Sequence, residues 1–162
     1  MSILINLTEQ QVKETKALAT EIHKSKKWNW TWENILIGLI GEMGYSIWTN
    51  QSINREIYFN SGDGGIDFPD GAQIKTVTWS GPSKEIKVNF GSTSNPAIKK
   101  YVLAHTTLDY LQDVELIGEV SLENFKTKRD MKIYRNKPVW IVTEDKLDTL
   151  YNKSHVLIDT NS

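Results

Sequence analysis

Gly62-Asp63-Gly64-Gly65-Ile66-Asp67-Phe68-Pro69-Asp70-Gly71-Ala72-Gln73-Ile74-Lys75 places an acid, an amide and an amine at a spacing that a β-hairpin would bring together. Pro69-Asp70-Gly71 fits a type I turn closed by a glycine bulge, since proline fixes φ at the first corner and glycine accepts a positive φ at the third. Such a loop pairs Phe68 with Ala72 and Asp67 with Gln73, and opposed residues point to the same face. Lys75, two residues beyond Gln73, points there too. A carboxylate, a side-chain amide and an ammonium then share one face, with Phe68 and Ile74 on the other. Plainer roles are open to each residue. Asp67 could be a surface acid paired with Lys75, Gln73 an exposed strand residue, and Asp63 and Asp70 turn residues. Taken together, polar side chains at matched positions in otherwise apolar strands favour chemistry.

A second acid belongs with them. The segment from Thr31 to Trp48 is apolar nearly all round, through Ile35, Leu36, Ile37, Leu39, Ile40, Met43 and Ile47, which predicts a buried helix. Glu33 and Glu42 stand nine residues apart and therefore on opposite sides at 100° per residue. Glu33 falls in the first turn, where solvent is available. Glu42 falls where the helix should be buried, and an acid is almost never fully buried unless it is paired or on a metal. Gly38, Gly41 and Gly44 recur along the same helix. Each glycine costs about 1 kcal/mol in a helix interior, so the repeat implies a backbone packed close to a neighbour. If this helix packs across the face that carries Asp67, Gln73 and Lys75, Glu42 joins them.

The elements that position these residues can be read from the chain. Thr8 and Gln11 form a capping-box pattern ahead of Val12, Leu18, Ala19 and Ile22, predicting an amphipathic helix over 8–24. Trp28, Trp30 and Trp32 read as packing anchors that clamp this helix onto the rest. Strands are predicted over 56–59, 65–68, 72–79, 86–90, 101–108, 114–120 and 138–143, with a helical turn at 122–125 and a closing helix over 143–151. Helices flanking a central mixed β-sheet make an α/β class, one domain spanning 1–162 with its core over 31–143.

Composition removes several alternatives. The chain has no cysteine, which excludes thiolate nucleophiles, cysteine zinc sites and a disulfide framework. His23, His105 and His155 are widely separated, and neither a phosphate-binding loop nor a dinucleotide fingerprint occurs. No serine sits in a nucleophile elbow. The N-terminus lacks the features of a signal peptide, and no run approaches the roughly 18 apolar residues of a membrane span. A cytoplasmic protein is expected. The net charge is −1, yet 124–137 carries Lys126, Lys128, Arg129, Lys132, Arg135 and Lys137 against Asp130 alone. A local basic segment suits a phosphate backbone, because attraction there fades within a Debye length. A solvated lysine-rich loop would look the same.

The stretch GDGGIDFPDGAQIK resembles the core motif of the PD-(D/E)XK nuclease superfamily, most nearly the Mrr-type restriction endonucleases, where a Q-x-K variant can replace D/E-x-K. GLIGEMGYSIW resembles the helix that precedes that hairpin and supplies an additional glutamate. The likeness covers about Thr31 to Trp79. It implies a restriction-endonuclease-like fold of phage or mobile-element type and a Mg²⁺- or Mn²⁺-dependent nuclease. By this resemblance Asp67 is the main metal ligand, Glu42 binds directly or through water, and Gln73 contributes its amide oxygen. The backbone carbonyl of Ile74 completes the shell, and Lys75 orients water or stabilises charge on the phosphorane. Gln73 departs from the commoner carboxylate, which removes one negative charge and should weaken metal binding. DNA is the implied partner, though nothing in these residues separates it from RNA. A homodimer cutting two strands follows by analogy alone. Rival readings are a junction- or repair-type nuclease on the same fold and a catalytically inactive nucleic-acid-binding module.

Overall fold

A computed structural model describes residues 2–25, 29–55, 67–90 and 96–150. The first helix, α1 (Glu9–Lys24), starts as its sequence predicts. Thr8 Oγ1 accepts the Gln11 backbone N–H at 3.1 Å, and Gln11 Oε1 accepts that of Thr8 at 2.9 Å. Two otherwise orphaned donors are thereby satisfied. Leu18, Ala19 and Ile22 form its buried stripe. The second helix, α2 (Trp32–Thr49), is capped by Thr31 and ends at Asn50, which takes the left-handed conformation with φ 56°. Trp32 Nε1 donates to Thr20 Oγ1 at 3.0 Å and ties α2 to α1, the clamp anticipated from the tryptophans. Trp28 lies outside the described residues.

Among the described residues seven strands form two sheets. The first is mixed, in the order β1 (Ile3–Asn6), β5 (Tyr110–Ser121), β4 (Lys100–Thr107) and β2 (Ala72–Val77); only the β2–β4 pairing is parallel. The second is antiparallel, in the order β3 (Glu85–Asn89), β7 (Lys137–Thr143), β6 (Asp130–Tyr134). A short helix, α3 (Leu122–Lys128), follows β5. Alternation along the strands divides the core in two. Ala72, Ile74, Val102, Ala104, Val114 and Leu116 meet α1 and α2. Tyr101, Leu103 and Val120 face the opposite way, onto Ile86, Val88 and Val142 of the second sheet and Phe125 of α3. The long helices thus cover only one face of the first sheet, and the second sheet covers the other.

An α/β class was expected and is found, but one central sheet was not. β7 belongs to the second sheet, and the basic stretch, in which no strand was predicted, contains β6. Two residues with positive φ, Arg135 at 48° and Asn136 at 63°, join β6 to β7 opposite the Tyr134–Lys137 pair. That is the backbone of a type I′ hairpin, whose twist matches the flanking strands. The predicted helix over 143–151 is a single 3-10 turn, Glu144–Lys146. Beyond it Asp148 exchanges backbone hydrogen bonds of 3.0 and 2.7 Å with Glu119. The pairing of β1 with β5 extends only to Leu116, opposite Ile3, so β5 has an edge past that point for Asp148, and pairing there wins over helix. The predicted strand over 56–59 and the first half of that over 65–68 lie outside the described residues.

Close packing explains two of the three helix glycines. A Cβ on Gly41 would collide with the Thr76 side chain, and one on Gly44 would lie 2.6 Å from Val114 Cγ1. A Cβ built on Gly38 would meet nothing within 4 Å among the described residues outside its own helix, so close packing there does not account for it.

Candidate functional site

The 68–71 turn forms as expected: Gly71 N–H donates to Phe68 O at 3.0 Å and Gly71 has φ 83°. The pairing beyond it does not. Asp67 N–H donates to Ala72 O at 3.2 Å, and Asp67 does not sit opposite Gln73. Its side chain reaches further along the strand, where Oδ2 accepts the Ile74 N–H at 2.7 Å. The physical reason lies in Asp70. Its Oδ1 accepts the Ala72 N–H at 3.0 Å, taking up a donor at the start of β2.

That bond locates an edge. N–H and C=O of one strand residue point the same way. Since the Ile74 N–H meets Asp67 rather than β4, its carbonyl also points to the outer edge of β2. Asp67 is 4% exposed, so its carboxylate is buried against this edge.

Helical geometry puts Glu42 of α2 on the side of that edge. Gly44 rests over Val114 of β5, Gly41 over Thr76 of β2, and Tyr45 against Phe68 in the turn. At 100° per residue these lie at about −60°, 0° and 40° relative to Gly41. Glu42, at about 100°, comes next in the same sense, past β2 and away from β5. It is 3% exposed, whereas Glu33 is exposed, as their spacing predicted.

Gln73 and Lys75 lie elsewhere. They share a face of β2, as alternation requires, but α2 covers the other face, that of Ala72, Ile74 and Thr76. The expectation that α2 would lie across the Asp67, Gln73 and Lys75 face is therefore corrected. The second sheet lies on the Gln73 side, where Gln73 pairs in register with buried Tyr101 and is itself 3% exposed. Burial pushes the Tyr101 phenol up to about 12, against a smaller opposing effect of Arg129, so it stays protonated near neutral pH and is no general base. Lys75 is half-buried and lines a cleft of about 720 Å³ running toward the second sheet. A smaller depression, about 390 Å³, lies between α1 and the β4–β5 turn and shares no residue with this cleft.

The predicted basic segment is split by the fold. Lys132, on β6, lines the cleft and pairs with Glu85 at 2.9 Å. Arg129 stacks over Trp140, its guanidinium carbon 3.9 Å from the ring centre, and Lys128 Nζ donates to Lys146 O at 3.2 Å. Lys126 sits in the last turn of α3, and Arg135 occupies the hairpin turn, 5.2 Å from the Tyr134 ring centre. Of these five, Lys132 lines the cleft. The cleft also draws on Trp79, Lys84 and Lys87, which the basic run did not flag. Period-two alternation of Lys132 and Tyr134 with Met131 and Ile133 was the available signal for this strand.

Asp70 anchors the turn to α2. Its Oδ2 accepts from Tyr45 Oη at 2.6 Å and from Gln51 Nε2 at 3.0 Å, while Lys100 stands at 3.8 Å. Burial alone would raise its pKa, but hydrogen bonds from Tyr45, Gln51 and the Ala72 N–H, with the Lys100 charge, lower it overall. The folded-state value is depressed, so the stabilisation is complete above the unfolded value and is lost as pH falls through the folded one. The melting-temperature gap between wild type and Asp70→Asn should therefore narrow as pH is lowered through the ordinary carboxylate range and below it. A gap that stays constant across that range would remove Asp70 from this role.

Set against protein-family models, curated proteins and solved structures, the chain matches no family, no relative and no neighbouring fold.

Proposed function

We propose that the chain is a metal-dependent nuclease acting on DNA, with a restriction-endonuclease-like core formed by α2 and the mixed sheet. One observation carries this reading: the buried carboxylate of Asp67 is held on the outer edge of β2 by the Ile74 N–H. It shares that edge with the Ile74 carbonyl and the approach of Glu42.

The donor chemistry fits a hard divalent cation. Two carboxylates and a backbone carbonyl offer only oxygen, as Mg²⁺ and Mn²⁺ prefer. Among the described residues no three His, Cys, Asp or Glu side chains converge, so this set draws on neutral oxygens as well. Asp67, Glu42 and the Ile74 carbonyl would hold the ion, with Gln73 flanking the strand from the other face. When bound, the ion would activate a water and offset charge developing on the phosphate.

The chain's own groups have distinct tasks. The Ile74 N–H fixes the direction of the Asp67 carboxylate. Lys75 brings a positive charge from the edge strand into the cleft, where a phosphate can meet it. Burial of Asp67 and Glu42 keeps competing water away from both.

The test is cleavage of plasmid and branched DNA with Mg²⁺, with Mn²⁺ and with EDTA, by wild type and Asp67→Ala in parallel. Cutting that needs both the metal and Asp67 supports the reading. Equal cutting by both proteins points to a contaminant or another site. DNA binding indifferent to metal and to Asp67, with no cutting, would favour an inactive binding module. No helix among the described residues is long and apolar enough to cross a membrane.

A further inference from the structure

The cleft beside Lys75 has a composition the nuclease reading does not require. Its walls carry Lys75 from β2, Lys84 before β3, Lys87 from β3 and Lys132 from β6, with Glu85 as the acid. Glu85 is tied to Lys132 at 2.9 Å, which leaves three lysines to serve an anion. Two aromatic rings accompany them. Tyr134 is 39% exposed and lies under Lys87, whose Nζ is 3.4 Å from the ring centre. Trp79 is 64% exposed, far more than an indole kept for packing.

Trp79 is nevertheless fixed in place. Its Nε1 donates to Pro82 O at 3.3 Å, and the ring lies so close over Gly81 that any Cβ there would strike it. The same loop holds Ser83 in the left-handed region at φ 64°. It is anchored at its far end, where Lys84 N–H donates to Glu144 Oε1 at 3.2 Å and Lys84 O accepts the Glu144 N–H at 2.9 Å. Strained backbone persists only where its surroundings over-determine it, and such positions cluster at functional sites. One face of the indole is spent on the loop, and the remainder is offered to the cleft mouth.

Fixed exposed aromatics beside a basic groove are what an unpaired strand needs. Bases in a duplex are already stacked and cannot lie on an indole, whereas an unpaired base can. We propose that this cleft holds single-stranded DNA, with a base stacked on Trp79 and its phosphates along Lys75, Lys84 and Lys87. Resting on the nuclease reading, this names the substrate at that site as a splayed or unpaired strand.

The experiment is fluorescence anisotropy with a labelled oligothymidylate and the matching duplex in EDTA, on wild type, Trp79→Ala and Trp79→Phe. Far-UV circular dichroism checks that each variant is folded. Wild type should prefer the single strand, Trp79→Ala should weaken that binding by about tenfold, and Trp79→Phe should largely restore it. With three lysines engaged, log affinity should fall against log salt with a slope of roughly −2. Equal affinity of wild type and Trp79→Ala would overturn the proposal, as would duplex bound as tightly as single strand. Competition by polyglutamate as effective as by oligothymidylate would assign the cleft to an acidic protein and also overturn it. No metal is present in this assay. Intact Trp79-dependent binding beside absent cleavage would therefore sink the nuclease reading alone, and lost binding beside metal-dependent cleavage would sink this one alone.

Discussion

Asp67→Asn is expected to abolish metal-dependent cleavage while leaving the protein folded. The amide oxygen can still accept the Ile74 N–H that the carboxylate now holds at 2.7 Å, so the local hydrogen bonding survives. What disappears is the negative charge. Altering even a residue that only orients a metal ligand typically costs about 10–100-fold in affinity or activity, and a direct ligand sets at least the upper end. Asp67→Ala removes the acceptor as well. It leaves a buried N–H unsatisfied, at a cost of about 1–3 kcal/mol, so the alanine protein should be both inactive and less stable. Manganese supplies a readout apart from turnover. A ligand that binds only the folded chain raises its melting temperature by mass action. Mn²⁺ should therefore raise the melting temperature of wild type and leave that of Asp67→Asn unmoved. An asparagine variant that cuts DNA within tenfold of wild type would remove Asp67 from the reaction.

Tyr45 should prove the most costly core residue of α2 to truncate. It is fully buried, packs on Phe68 with ring centres 4.8 Å apart and on Trp48 at 5.7 Å, and places its hydroxyl on Asp70. Replacing a buried aromatic by alanine typically costs about 3–5 kcal/mol. Tyr45→Ala should fall in that range by urea unfolding, and it should also loosen the turn that leads into β2. Tyr45→Phe keeps the ring and deletes the hydroxyl, which leaves part of the Asp70 carboxylate without its donor. About 1–3 kcal/mol is expected for that change. The phenol is held protonated well above its usual range, first by burial and then by Asp70, so it is a donor near neutral pH. Losses of equal size in the two variants would show that the ring packing matters little.

Legibility from sequence followed the range over which each determinant acts. The start of α1 depends on Thr8 and Gln11, three residues apart, and the 68–71 turn on three consecutive residues. Both could be read directly. Burial of Glu42 followed from the apolar surroundings of α2. The placement of Asp67 could not be read, because its register depends on Asp70 taking a backbone donor that the ideal hairpin reserves for pairing. The covering of the Gln73 face was equally hidden. It depends on β3, β6 and β7, whose partners are distant in sequence. β6 was missed because its charges resembled a solvated loop, and every residue in it is exposed. β1 has only four residues, too few to establish a period. Trp79 carried no motif. Its importance rests on exposure, which only coordinates reveal.

The route of the chain between the two sheets has a mechanical consequence. The chain leaves the first sheet after β2 to make β3, returns for β4 and β5, leaves again for β6 and β7, and comes back at Asp148 against Glu119. Layers laced together by repeated crossings cannot part like the halves of a clam, since each crossing is a short tether resisting separation. The groove walled by Lys75 on one side and Lys87 and Lys132 on the other therefore keeps a set gauge. On the reading proposed above, a strand that enters it would have to adapt to the protein's spacing.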